Sequence, residues 1–262
     1  MSQLLDSPPT DSGFQSTRSE SITEPTLYLW TVSQYQQSVA LGLLDADVRF
    51  ELLQGEIVPK GSSDPTSEDV AWGARWGTIY RWTPEQYDRL AQAHLLTPDN
   101  HTEMVEGVIL QKMTINPPHA QVLTLLNRKL NRSLSDEWLV RPQNPLATMD
   151  GRPEPDIAIV READYSARHP TGRETPLVIE IAGSSLAFDR EKAASYAAAG
   201  VLEYWIINLL ERQIERYTAP NSSSRLYEQS EFLRDGESIF LTIEGEKLAE
   251  WTIESILPPR HA

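Results

Sequence analysis

Apolar residues along this chain keep two different periods. After Pro117 and Pro118, Val122, Leu125, Leu126 and Leu130 recur at the spacing of one helix face, predicting a helix to about Leu134 with that stripe in the core. Clusters of β-branched residues predict strands at Trp138 to Val140, Asp156 to Val160 and Pro176 to Ile181. Strand-like runs return at Tyr204 to Leu209, Gln213 to Thr218 and Leu226 to Gln229. Between them an alanine-rich segment from about Asp189 reads as a helix ending at Gly200, whose missing Cβ suits a left-handed cap. Helices interleaved with strands in this way predict an α/β or α+β fold around a mostly antiparallel, partly mixed sheet.

The same patterning repeats near the start of the chain. L-Y-L-W-T-V-S-Q-Y from Leu27 returns as I-Y-R-W-T-P-E-Q-Y from Ile79, and the register continues without gaps through Leu43/Leu95, Leu44/Leu96, Glu51/Glu103, Gly55/Gly107, Ile57/Ile109 and Lys60/Lys112. Thr83 is placed to cap a helix, Pro84 is tolerated in its first turn, and Glu85 suits its positive end, so a helix runs to about Ala93. Thr31 starts its counterpart. From Thr102 to Lys112 two short strands are expected around a turn at Gly107, as around Gly55 in the first copy. Three regions result. Residues 1–25, rich in Ser, Thr, Pro and Asp, have the composition of a disordered tail. Residues 26–78 hold a partial duplicate of the helix-strand unit and a polar linker, and residues 79–262 hold the second unit and the main domain.

Composition changes this picture mainly by exclusion. The chain of 262 residues is 40% hydrophobic, enough for a large core, and has no cysteine. Disulfides, thiolate nucleophiles and iron–sulfur sites are thereby ruled out. No apolar stretch is long enough to span a bilayer and the N-terminal residues lack a signal-peptide pattern, so a soluble, cytoplasmic protein with no membrane partner is expected. A net charge of -15 leaves no general basic footprint for nucleic acid. Arg128, Lys129 and Arg132 on one predicted helix are the candidates for local phosphate contacts. A surplus of carboxylates also suits hard divalent cations, which take oxygen ligands.

Candidate chemistry gathers on the two central strands. Pairing E-P-D-I-A-I-V with P-L-V-I-E-I-A as antiparallel neighbours sets Asp156 opposite Glu180. Glu180 then shares a strand face with Val178 and Ala182, a carboxylate among apolar residues that needs a cation, a donor or a proton. Lys192, on the first turn of the following helix, can reach back over that strand end. Two carboxylates and a lysine are the minimum for metal-assisted phosphodiester hydrolysis.

From about residue 80 the chain resembles the Uma-type putative restriction endonuclease family, a branch of the PD-(D/E)XK nuclease superfamily. The resemblance rests on Glu103-x-x-Glu106-Gly107, P-P-H after Asn116, Pro155-Asp156, Val178-Ile179-Glu180 with Ser184 and Ser185 beyond it, and Lys192 with Tyr196-Ala197-x-x-Gly200-Val201-x-Glu203-Tyr204-Trp205. It implies a restriction-endonuclease-like mixed sheet flanked by helices and a DNA endonuclease using water activated by Mg2+ or Mn2+. It also implies Asp156 and Glu180 as metal ligands and Glu103 as the acid that completes the site. The superfamily lysine, two residues after the second acid, is replaced here by Ala182; in this branch the role moves to Lys192. Val108 and Asn208 depart from the family pattern, which expects an acid at each place. A homo-oligomer, such as a dimer, is a further expectation.

Each residue also has a purely structural reading. Asp156 can cap a turn, Glu180 can pair with Arg190, and Lys192 can pair with Asp189 on a solvated helix face. His119 is a candidate for substrate or metal contact, or a cap at a helix start. Tyr196, Tyr204 and Trp205 read as core. The rival function is a non-catalytic interaction or assembly module that keeps the nuclease fold.

Overall fold

The computed structural model describes residues 25–44, 48–60 and 79–259. The tail at 1–24 and the linker at 61–78 lie outside the described residues.

Main-domain strands form a six-stranded sheet in the order β11-β10-β9-β8-β7-β6. These are β6 (Trp138–Pro142), β7 (Ile157–Arg161), β8 (Leu177–Ala182), β9 (Glu203–Asn208), β10 (Gln213–Asn221) and β11 (Leu226–Arg234). Only β8 and β9 run parallel, joined through helix α4 (Leu186–Ala199) in a crossover; every other pair is antiparallel. The sheet is therefore mixed, as the sequence predicts. Helix α3 (Pro117–Ser133) covers one face, burying Val122, Leu126 and Leu130 completely against Ile157, Ile159, Ile179 and Ile207. Each such side chain contributes about 1.5–3 kcal/mol of transfer free energy. The opposite face meets α4 through Ala158, Val178, Ala182, Tyr196 and Tyr204. Gly200 ends α4 with φ of 84°, in the left-handed cap expected of it.

Chain ends and caps differ from the sequence reading in small ways with clear causes. Helix α4 starts at Leu186, a turn earlier than expected, because the Ser185 hydroxyl bonds the Asp189 carboxylate at 2.6 Å across that turn. A hairpin of β12 (Ser238–Ile243) and β13 (Glu246–Thr252) packs Ile239, Leu241 and Ile243 beside α3 and was not predicted. Its burial alternates strictly along β12, but Ile239, Phe240 and Leu241 are all apolar, so the sequence signal is a short apolar run before the turn at Gly245.

The two N-terminal units fold alike. The first comprises β1 (Thr26–Leu27), α1 (Val32–Ala40) and the hairpin of β2 (Phe50–Leu53) and β3 (Glu56–Pro59). The second comprises α2 (Pro84–Gln92) and the hairpin of β4 (Thr102–Val105) and β5 (Val108–Gln111). Thr31 and Thr83 both cap their helices in reciprocal boxes with Gln34 and Gln86. A single apolar cluster, including Trp30, Leu43, Ile57, Trp82, Leu95 and Ile109, is shared between the units. The second unit is also tied to the main domain, where Arg152 N–H donates to the Met104 carbonyl at 2.7 Å and Gly107 N–H to that of Asp150 at 2.7 Å. That tie carries β4, and with it Glu103, to the sheet.

Candidate active site

Register sets the first two groups side by side. Ile157 pairs with Ile179 across β7 and β8, so Asp156, just before β7, lies next to Glu180. Asp156 N–H donates to Glu180 Oε2 at 3.1 Å, and Ile181 N–H donates to Asp156 Oδ2 at 2.8 Å. Alternation along β8 turns Glu180 toward α4. On α4, Asp189, Lys192 and Tyr196 follow one another at helical spacing and face the strand. Lys192 Nζ lies 3.2 Å from Glu180 Oε1 and 3.0 Å from Glu103 Oε1. The other Glu103 oxygen accepts the Glu154 N–H at 3.1 Å. The Tyr196 hydroxyl donates to Glu180 Oε1 at 2.8 Å. His119, at the start of α3, meets Asp156 Oδ1 through Nε2 at 3.0 Å.

Three buried acids, Glu103, Glu180 and Asp189, thus act on one ammonium, with Asp156 beside Glu180. Glu103, Glu180, Asp189 and Lys192 are all buried, whereas the Asp156 and His119 side chains keep 14% and 17% of their surface and form the open edge. Burial pushes the Glu180 carboxyl up to about 8; Lys192 opposes this, and the charges of Asp156, Asp189 and Glu103 add to it. Asp189 is raised for the same reason, against the pull of Lys192 and the Ser185 bond. Burial alone would lower Lys192, but Glu103, Glu180 and Asp189 outweigh it and hold the ammonium charged. For His119 burial also works against the charged ring, and the bond to Asp156 with the charges of Asp156 and Asp189 raises its pKa. Local charge here is an excess of acid, a setting that attracts protons or cations.

Several sequence readings are decided by this geometry. Arg190 pairs with Glu215, not Glu180, and Lys192 is not on a solvated face with Asp189 but buried between Glu103 and Glu180. Tyr196 is core, as read, yet its hydroxyl also joins the cluster; an Asp three residues before the lysine and a Tyr four after were the available signals. Glu106 turns away to Arg225. Arg128 and Arg132 are exposed on the outer face of α3, while Lys129 reaches 3.3 Å from Ser255 Oγ and over the Trp251 ring, so these three do not form one patch. Among the described residues, no three His, Asp or Glu side chains are grouped as a metal ion would hold them. Glu103 faces Lys192.

A mixed sheet with helices on both faces and a carboxylate–lysine cluster at the ends of two neighbouring strands defines a nuclease-type fold. The chain belongs to the Uma2 family, described as "Putative restriction endonuclease", whose model matches residues 84–249. Among solved structures it is similar to a putative nuclease of the DUF820 group from Anabaena variabilis, at 14% identity and a TM-score of 0.54, covering 66% of this chain and 96% of that one. That likeness is one of fold. No curated protein matches the chain. Among the described residues no helix is long and apolar enough to cross a membrane.

Proposed function

We propose that the chain is a metal-dependent DNA endonuclease whose site is the cluster of Asp156, Glu180, Glu103, Lys192 and His119. One observation carries the reading: a lysine charged and buried between two glutamates, beside an aspartate at the solvent edge, on the fold of this family. Asp156 and Glu180 offer adjacent hard oxygens, the donor type that Mg2+ or Mn2+ takes, and they would hold the ion. When bound, such an ion supplies Lewis acidity toward a phosphate oxygen and lowers the pKa of a water. Glu103, expected as a further ligand, serves here as the counter-charge that aims Lys192. Lys192 places a fixed positive charge where the phosphate gathers negative charge in the transition state. Tyr196 stays protonated and fixes the Glu180 carboxylate through its hydrogen bond. His119 orients Asp156 and faces the side from which substrate enters.

Arg128 and Arg132 stand on the outer side of α3, turned about half a helical circle away from His119. They lie about 14 and 20 Å along α3 from His119, at 1.5 Å per residue. With a net charge of -15 the grip on DNA is local rather than general. Incubation of labelled duplex DNA with the protein and Mg2+ or Mn2+ tests the reading. Cleavage that stops on chelation and is lost in Asp156→Asn is expected. Cleavage equal in wild type and Asp156→Asn would overturn it.

A further inference from the structure

The two N-terminal units exchange contacts in pairs. Gln34 Nε2 donates to the carbonyl of Leu95 at 2.9 Å, and Gln86 Nε2 donates to that of Leu43 at 2.7 Å. Tyr28 N–H reaches the Ile109 carbonyl at 3.0 Å while Tyr80 N–H reaches that of Ile57 at 2.7 Å. Each bond is the other's image under the repeat register, in which Gln34, Tyr28, Leu43 and Ile57 correspond to Gln86, Tyr80, Leu95 and Ile109. Trp30 and Trp82, which also correspond, stack on each other with centroids 5.0 Å apart. Residue i of one unit meeting residue j of the other, and the reverse, is the signature of an isologous two-fold interface between identical subunits. Here both halves belong to one chain.

We propose that the first unit is a built-in dimerisation partner: it occupies the face of the second unit that would otherwise pair with a second copy of this chain. The geometry explains why the first unit is kept although it has no counterpart of Asp156, Glu180 or Lys192. It also explains an exposed apolar group. Val105 and Pro84 are buried in the second unit, with Val105 packed beside Phe188 of the main domain, whereas their counterparts Leu53 and Val32 are 52% and 62% exposed. The first unit presents the docking side of the second, but its chain segment continues into no main domain of its own. The dimer expected from the sequence is thus folded into one molecule. A consequence, which rests on the nuclease reading, is one site per particle and single-strand nicks rather than paired cuts.

Mass by light scattering tests the proposal without reference to cleavage. The full chain is expected at 29.6 kDa over a wide concentration range. Trp30→Ala combined with Ile57→Asp, which opens the seam from the first unit's side, is expected to move the protein toward twice that mass as concentration rises. A wild type at twice the mass would overturn the proposal, all the more if Leu53→Ser with Val32→Ser returned it to one chain. So would an opened variant that folds cooperatively and stays at one-chain mass. Should the double variant not fold, Gln34→Ala weakens the seam from the first unit's side alone, whereas Gln86→Ala also removes a bond from each half of a two-copy seam; a shift toward association in Gln34→Ala and none in Gln86→Ala is expected, and an equal or reversed response would overturn the proposal.

Discussion

Lys192 concentrates the energetic stakes of the molecule in one side chain. Its ammonium sits between the buried Glu103 and Glu180 side chains, so removing it takes away the cation that both acids face. Breaking a buried ion pair from one side costs about 3–5 kcal/mol. Lys192→Met should therefore lower unfolding free energy by about that amount in urea titration, and adding Glu103→Gln should recover part of it. An unchanged midpoint would contradict the placement. The Glu180 carboxyl gives a pH dependence of definite sign. Its folded pKa, near 8, lies above the ordinary 4.5, so its contribution to stability is whole below 4.5 and is lost as pH rises toward 8. Without divalent cations the melting temperature should fall from pH 5 to pH 9. Glu180→Gln should flatten that slope, and Mn2+ should stabilise wild type more at pH 9 than at pH 6, because the cation takes the place of the proton. A melting temperature that rises with pH over this range would contradict the site's charge balance.

At the scale of elements, the site depends on how β4 meets the main domain. A Cβ at Gly151 would fall 2.6 Å from the Met104 carbonyl, within the bridge that holds β4 in place. Gly151→Ala should cost about 1–3 kcal/mol. Because Glu103 neighbours Met104, the same change should loosen the Glu103–Lys192 contact and lower kcat of DNA cleavage about tenfold or more, with KM little altered. Equal kcat would show that β4 does not position the site. Much at this scale was legible in the chain. The register opposing Asp156 and Glu180 follows from two apolar runs of matched length, and Thr83, Asn116 and Gly200 mark helix ends by local chemistry alone. Long-range pairing was not legible in the same way. Nothing local to Glu215 says that it, and not Glu180, will take Arg190; their meeting depends on which strand lies beside α4. Lys129 likewise follows from α3 packing beside the C-terminal hairpin, where Ser255 lies 126 residues further along the chain, a contact no helical period encodes.

On the proposed function, an acidic molecule has to bring a polyanion to its site. With a net charge of -15, that reading makes the approach depend on the open edge at Asp156 and His119. The repeat, legible as a constant register, builds a paired N-terminal module whose second half delivers Glu103. That the two halves share one core could not be read from either copy alone, since Trp30 of one stacks on Trp82 of the other. On the proposed function the buried cluster cuts DNA with a divalent cation. Supercoiled plasmid incubated with Mg2+ or Mn2+ and wild type, Glu180→Gln or Lys192→Met, each variant first shown to be folded by circular dichroism, tests it most directly. Nicked circles that form only with cation and wild type are the expected result. Nicking by wild type and both folded variants alike, or none by wild type at any cation, would contradict it.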